Sequence, residues 1–506
     1  MSSTPLPQAL LGVVGCGLMG RGIAQIAIQG GIPVILHDSR PGAAEEARAA
    51  IAATLQKLSD KGKLSAQDVE AACARLSVSA SLDELAPCST VIEAIVEKLD
   101  AKQELFRQLE AVVGHDCILA TNTSSLSVTA IAAACKAPGR VAGFHFFSPV
   151  PLMKIVEVIA GPLTDIDVAE RLTALARQMG HTPVRAADTP GFIVNHAGRG
   201  YLTESLRILG ENVAAHPELD RILREAAGFR MGPFELLDLT GLDVSQPVME
   251  SIYEQYYQEP RFRPSPIARQ RLAAGLLGRK SQRGFYAYED GKKQEPATAA
   301  IPPRAAIRVW LGSDDAAAYP AVSELLGMLG ADRDEGERPA DGSLCLVLPV
   351  GQDATSAAVA AQLDPVRTVA LDPLFLGGRR TLMTTPLTDA AFRDAAHALF
   401  AADGTPVSVI RDSAGLVCQR VIATIVNIGA DIAQQGIASP EDIDKAVTLG
   451  LGYPKGPLAM GDALGAATVL RILDGLFDFY RDPRYRPSPW LKRRAMLGVS
   501  LLTPEN

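Results

Sequence analysis

The chain has no run of about 18 uninterrupted apolar residues, the length that a membrane-spanning helix needs. Its opening residues, MSSTPLPQA, have neither the charged start nor the long apolar segment of a secretion signal. It also lacks a basic excess. The formal net charge is −8, with no basic or aromatic-interleaved run, which argues against nucleic acid as a partner. The seven cysteines (Cys16, Cys73, Cys88, Cys117, Cys135, Cys345 and Cys418) are scattered, odd in number and never spaced C-x-x-C. Reduced thiols in a cytoplasmic protein are therefore expected, with no metal. What remains is a globular composition, 47% hydrophobic and 21% charged, and 506 residues leave room for several domains.

What is present begins with residues 11–38, LGVVGCGLMGRGIAQIAIQGGIPVILHD. An apolar run breaks into Gly15-x-Gly17-x-x-Gly20, a helical segment follows over Arg21–Gln29, and a second apolar run ends at Asp38. Strand, glycine turn, helix, strand and acid together form a dinucleotide-binding fingerprint. Gly15 allows the tight turn, Gly17 lets the backbone approach a pyrophosphate, and Gly20 lets helix and strand pack closely. Leu18 and Met19 lie inside the fingerprint and are counted with the cofactor site. The helix start offers free N–H groups to phosphate. Asp38 would accept the adenosine ribose hydroxyls and repel a 2′-phosphate, so NAD is favoured over NADP, although nearby Arg40 weakens that preference.

Farther along, helices are expected over 41–61, 66–75 and 103–113, and strands over 76–79, 91–95, 118–121 and 141–146. This alternation predicts a mainly parallel, doubly wound sheet. Helices take over from Asp188, with one spanning Phe192–Leu209 and the next Pro217–Ala227. The stretch 289–303 (EDGKKQEPATAAIPP) reads as a linker. Residues 305–410 return to short strands and helices without a glycine fingerprint. The last quarter repeats an earlier segment: DTPGFIVN at 188–195 aligns with DSAGLVCQ at 412–419, and YQEPRFRPSP at 257–266 with YRDPRYRPSP at 480–489. The helical domain is duplicated, with Gln419 in place of Asn195 and Ala459 in place of Glu235.

Four polar pieces stand out in the first half: Asn122-Thr-Ser124-Ser125 after a strand, His145 at the end of another, Glu157 in an apolar run, and Asn195. In a doubly wound sheet, Ser124 and His145 fall at the carboxyl ends of strands, where ligands bind. His145 is a candidate general base or acid, and Glu157 is the candidate carboxylate to orient it. Taken singly, each has a plainer reading: a core histidine, a strand glutamate, a helix cap at Ser124, a polar helix residue at Asn195.

The strings FHFFSPVPLMKIVEVI, DTPGFIVN, TNTSSLSVT, VIEAIVEKLDAKQELF, MGPFELLDLTGLD and GRKSQRGFY resemble the 3-hydroxyacyl-CoA dehydrogenase family over residues 10–288. Its C-terminal helical domain recurs at 412–501. The length and degenerate middle resemble the two-module bacterial members that act on 3-hydroxybutyryl-CoA or, in phenylacetate degradation, on 3-hydroxyadipyl-CoA. The resemblance implies five segments. These are an NAD-binding Rossmann domain (1–186), an all-α domain (187–288), a linker (289–304), a degenerate Rossmann-like α/β domain (305–410) and a second all-α copy (411–506). It implies His145 as catalytic base and Glu157 as its partner, with Ser124 and Asn195 holding the substrate oxygens. Glu97, Lys102, Asn122, Ser148 and Lys280 are implied for NAD, Ser148 standing where the family usually has asparagine, and Thr54 and Lys61 for CoA. The expected partner is an acyl-CoA, with no nucleic acid and no membrane. A homodimer or an internal pairing of the two helical copies is expected, the second module being architectural. The competing readings are a dehydrogenase of a non-CoA hydroxy acid on this scaffold and a non-catalytic NAD-binding protein. Arg199 and Arg207 are candidates for holding a distal substrate carboxylate.

Overall fold

The structure is a computed structural model that describes residues 10–312 and 317–505. They fall into two compact units. The first runs as far as His196 and takes in Gln435–Leu451; the second comprises Ala197–Gln434 and the chain from Gly452 onward.

The first unit holds an eight-stranded sheet: β1 (Leu11–Val14), β2 (Val34–His37), β3 (Leu76–Val78), β4 (Thr90–Glu93), β5 (Ile118–Thr121), β6 (Val141–Phe146), β7 (Ile155–Ala160) and β8 (Thr182–Ala187). The order is β3-β2-β1-β4-β5-β6-β7-β8. All neighbours are parallel except the antiparallel pair β6–β7. The strands are apolar runs because both faces are covered. In β1, Leu11 and Val13 belong to one core cluster and Val14 to another; in β5, Ile118 and Ala120 divide in the same way from Leu119. The accompanying helices are α1 (Leu18–Gln29), α2 (Ala43–Asp60), α3 (Ala66–Ala74), α4 (Leu99–Val112), α5 (Val128–Ala132) and α6 (Ile166–Gln178). Two start earlier than their periodicity suggests. α1 takes in the last fingerprint glycine, and α4 begins at Leu99 rather than Gln103.

The segment expected as one helix over 192–209 is broken. Gly191 and Phe192 form a left-handed turn, with φ +77° and +49°. After it come a one-turn α7 (Val194–Ala197) and then α8 (Arg199–Gly210). The expected linker begins inside a hairpin, β9 (Ala287–Glu289) and β10 (Lys292–Gln294). Asp290 and Gly291, both at positive φ, turn it, as an Asp-Gly pair does.

The second unit contains α9 (His216–Glu225), α10 (Pro233–Thr240), α11 (Leu242–Gln255) and α12 (Pro266–Ala273). A six-stranded sheet follows: β11 (Arg308–Leu311), β12 (Asp332–Asp334), β13 (Leu344–Val347), β14 (Thr368–Leu371), β15 (Arg380–Thr384) and β16 (Val407–Ile410), flanked by α13 (Tyr319–Met328), α14 (Ala354–Ala360) and α15 (Ala390–Phe400). Its order is β12-β11-β13-β14-β15-β16. Like the first sheet, it has one antiparallel pair, β14–β15, before its last strand. The repeat supplies α16 (Cys418–Gln434), α17 (Pro440–Leu451), α18 (Pro457–Leu464), α19 (Ala466–Tyr480) and α20 (Pro489–Leu497). α17 alone among these lies in the first unit.

The two helical copies pair within the second unit through α8 and α16. At their centre Glu204, fully buried, meets Arg420 at 2.6 Å, Arg484 at 2.9 Å and the Tyr485 hydroxyl at 2.6 Å. Arg420 also reaches Glu211 at 2.6 Å. A buried charge is tolerated here because it is paired and hydrogen-bonded.

Candidate active site

The parallel strands β1, β4, β5 and β6 share one carboxyl edge, and the site is built along it. The glycine turn follows β1. Gly15 has φ +99°, and a Cβ there would lie 2.5 Å from the Ala94 carbonyl oxygen. A Cβ on Gly20 would lie 1.8 Å from the Gly15 oxygen, so only glycine lets α1 approach. Gly17, by contrast, faces open space, with nothing within 4 Å of its missing Cβ, and α1 starts with no side-chain cap. That is the surface a pyrophosphate needs. Leu18, 65% exposed, lies beside it. At the end of β2, Asp38 accepts the Cys16 amide at 2.7 Å and the Arg40 amide at 2.9 Å. Arg40 gives Asp38 its backbone amide and turns its guanidinium to Glu46 at 2.7 Å. The residues present fit NAD. Burial and the neighbouring Asp38 push the Cys16 thiol up to about 12, so it is a space-filling residue and not a reactive one.

The antiparallel ladder of β6 and β7 places His145 directly across from Glu157. His145 Nδ1 and Glu157 Oε2 are 2.6 Å apart, and Glu157 is fully buried. The other carboxylate oxygen accepts the amides of Ile193 and Val194, both at 2.9 Å. The Gly191-Phe192 turn aims those amides. The carboxylate thus has three partners. It fixes the imidazole with the proton on Nδ1 and a lone pair on Nε2, and Nε2 makes no hydrogen bond among the described residues. The rings of Phe147 and Phe192 flank the imidazole, at 4.4 and 5.8 Å between centroids.

Beside this pair, the loop after β5 is held by Glu97. Its Oε1 accepts the Thr123 hydroxyl at 2.7 Å and the Ser124 and Ser125 amides at 2.8 and 3.2 Å. Burial acts to raise the Glu97 carboxyl, but Lys102 and these donors outweigh it and hold it below its usual range. Asn195 Nδ2 reaches the Ser124 carbonyl at 3.4 Å. Asn122 Oδ1 accepts the Phe146 amide at 2.9 Å, tying the end of β5 to β6. Ser124, Asn195, His145 and Glu157 are therefore gathered together.

One residue of this region escaped the sequence reading. Glu93, fully buried at the end of β4, takes the Lys102 ammonium at 2.5 Å, the Thr121 hydroxyl at 2.7 Å and the Ile95 amide at 2.7 Å. Lys102 bridges on to Glu97 at 3.2 Å. The available signal was an acid closing an apolar strand nine residues before a lysine.

The other expected residues have surroundings of their own. Thr54 sits on the exposed face of α2, donating to the Ala50 carbonyl at 2.8 Å, and exposed Lys61 follows the end of that helix. Ser148 is exposed on the loop after β6. Lys280 belongs to the second unit, where it pairs with Asp243 at 2.5 Å. Arg207 is committed to Asp482 at 2.7 Å and Glu211 at 3.0 Å, and the Arg199 side chain is buried.

Comparison with known proteins bears on the same residues. Residues 10–189 match the NAD binding domain of 3-hydroxyacyl-CoA dehydrogenases, and residues 191–288 and 415–500 match their C-terminal domain. The chain is 39% identical to the 3-hydroxyadipyl-CoA dehydrogenase of Escherichia coli, covering 96% of this chain and 97% of that protein. It is 38% identical to the mitochondrial hydroxyacyl-coenzyme A dehydrogenase of Sus scrofa, over 55% of this chain and 90% of that one. The crystal structure of a 3-hydroxybutyryl-CoA dehydrogenase from Escherichia coli superposes with a TM-score of 0.85 at 37% identity, covering 97% and 99% of the two chains. The chain belongs to the 3-hydroxyacyl-CoA dehydrogenase family.

Proposed function

We propose that this chain oxidises (3S)-3-hydroxyacyl-CoA to 3-oxoacyl-CoA with NAD, and that the His145–Glu157 pair does the proton chemistry. The observation that carries the reading is that pair, 2.6 Å apart and buried, at the same sheet edge as an open glycine turn. NAD, when bound, supplies the hydride acceptor. The chain's own residues do the rest. Gly15, Gly17, Gly20 and the start of α1 hold the pyrophosphate, and Asp38 holds the adenosine ribose. Glu97, Asn122 and Ser148 are assigned to the cofactor as well, with buried Lys102 holding Glu97 in place. His145 Nε2 takes the proton from the substrate 3-hydroxyl. Glu157 stabilises the imidazolium that forms, and the Ile193 and Val194 amides hold its other oxygen in place. Ser124 and Asn195 hold the developing carbonyl and the thioester oxygen. Thr54 and Lys61 are assigned to CoA.

The proposed substrate is a short-chain or 3-hydroxyadipyl thioester, supported by the names of two relatives that cover 96% and 97% of this chain. The five segments expected above are carried over as part of this proposal, supported by the family matches over residues 10–189, 191–288 and 415–500. The paired helical copies support a chain that carries its own helical-domain interface, and light scattering is expected to read a monomer. All seven cysteines stand as free thiols, and among the described residues no helix is long and apolar enough to cross a membrane. These support a reducing cytoplasmic setting.

The test is NADH formation with 3-hydroxybutyryl-CoA, 3-hydroxyadipyl-CoA, a long-chain 3-hydroxyacyl-CoA and the free 3-hydroxy acids. The short-chain or dicarboxylic thioester should give the highest kcat/KM. Equal rates on a free acid would sink the CoA assignment.

A further inference from the structure

α17 belongs by sequence to the second helical copy, yet it packs on β7 and β8 of the first sheet. The Ala187 amide donates to the Ile437 carbonyl at 2.8 Å, and the Arg185 amide to Asp442 Oδ2 at 3.2 Å. The second unit contains the mirror arrangement: the Arg411 amide donates to the Val213 carbonyl at 3.0 Å. The residue pairs 187/411 and 213/437 both obey the repeat offset. α9, the counterpart of α17, accordingly serves the second sheet, with Glu218 and Glu225 on Arg379 at 3.3 and 3.0 Å. Each helical copy thus lends one helix to the other copy's sheet.

The loan reaches the catalytic pair. In the last turn of α17, Gly450 lies against Val194. A Cβ at 450 would stand 3.0 and 3.1 Å from the two Val194 methyl groups. Val194 is buried, β-branched and stiff in χ1, and its amide is one of the two that grip Glu157. We propose that α17 is a positioning element of the active site: the bare surface at Gly450 sets Val194, and through its amide sets Glu157 and His145. The inference rests on the catalytic reading of His145 and Glu157. It makes the second module a contributor to the site and not only a support.

Gly450 lies within a helix, where alanine is intrinsically favoured by up to about 1 kcal/mol. A loss on adding a methyl group therefore reports the Val194 contact and not the helix. The experiment uses the full chain with Gly450→Ala, Gly450→Val and Gly450→Val/Val194→Ala. The readouts are kcat, KM for NAD, and amide exchange at Ile193 and Val194. Gly450→Val should lower kcat by roughly tenfold, since a misplacement of about 1 Å costs about 10²-fold. KM for NAD should hold, and exchange at both amides should accelerate. Gly450→Ala should move the same way by less, and it serves if the valine variant fails to fold. The double variant should recover most of the lost turnover. Unchanged kcat and unchanged exchange in a folded Gly450→Val protein would overturn the inference and leave the proposed reaction standing. Faster exchange with unchanged kcat would overturn it through the role given to Glu157. Loss of turnover that the double variant does not recover would also overturn it.

Discussion

The two α/β domains share a scaffold and differ in what they expose. Both carry the left-handed pair after the capping aspartate: Gly191-Phe192 in one, and Gly415-Leu416, at φ +73° and +48°, in the other. Asp188 accepts the amides that start α5, and Asp412 those that start α14. Both sheets turn one strand pair antiparallel at the same place. Yet the ladder that sets His145 against Glu157 sets Asp372 against Thr381, whose backbones meet at 3.0 Å. Val350 follows β13 where Ser124 follows β5. Gln419, replacing Asn195, spends its amide internally, accepting from the Gly351 amide at 2.9 Å and donating to the Pro349 carbonyl at 3.1 Å and Asp372 at 3.0 Å. Caps and turns are what the fold needs, so they persist. The open side chains are what chemistry needs, and only the first domain has them together with a glycine fingerprint.

The largest effect should come from exchanging the fortunes of the two strand-end residues. His145→Gln should lower kcat by about 10²–10⁴-fold, the usual worth of a general base, while Asp372→Asn leaves kcat as it is. Steady-state kinetics on both folded variants decides. A drop with Asp372→Asn would break the comparison.

Next comes the joint between the helical copies. Burial alone would raise the Glu204 carboxyl, but Arg420, Arg484 and Tyr485 outweigh it and bring it from 4.5 to about 2. The folded value lies below the unfolded one, so this stabilisation is full above about pH 4.5 and drains away as pH falls toward 2. Glu204→Gln should cost about 3–5 kcal/mol near pH 7, because it leaves buried guanidinium groups unpaired. The loss relative to wild type should shrink as pH falls through that window. Chemical denaturation across pH measures it. A cost that did not change with pH would contradict the assignment of the ion cluster.

Asp38→Asn should lower kcat/KM for NAD by about tenfold or more, the worth of hydrogen bonds to a charged group, while leaving KM for the thioester unchanged. Asp372→Asn supplies the smallest effect on activity, and its effect is read in stability. Burial raises that carboxyl from 3.8 to about 6, partly offset by hydrogen bonds from Gln419 and the Leu374 amide. The folded value lies above the unfolded one, so ionised Asp372 costs stability as pH rises from about 4 through 6. The variant should nearly match wild type at pH 4 and be the more stable by up to about 3 kcal/mol at pH 7. Thermal melts at the two pH values check it.

Much of this was legible in the sequence where local chemistry decides. β5, β6 and β14 lie where their apolar runs are, and Gly15, Gly17 and Gly20 divide their three tasks as the spacing implies. The antiparallel β6–β7 pair was not legible, because a strand buried on both faces reads the same in either direction. The Asp290-Gly291 hairpin carried its usual signal inside a stretch that otherwise reads as linker. Glu93 was hidden because its burial depends on Lys102 and Thr121 arriving from other elements. The destination of α17 was the least legible. Its amphipathic pattern shows that one face is covered but not which sheet covers it, and Gly450 reads as an unremarkable helix glycine until Val194 is beside it.

The central claim is that one domain of the two does the chemistry. Calorimetric titration of the full-length chain with NAD tests it most directly. One NAD per chain is expected, abolished or weakened by Asp38→Asn. Two NAD per chain, with the second surviving that substitution, would contradict the account.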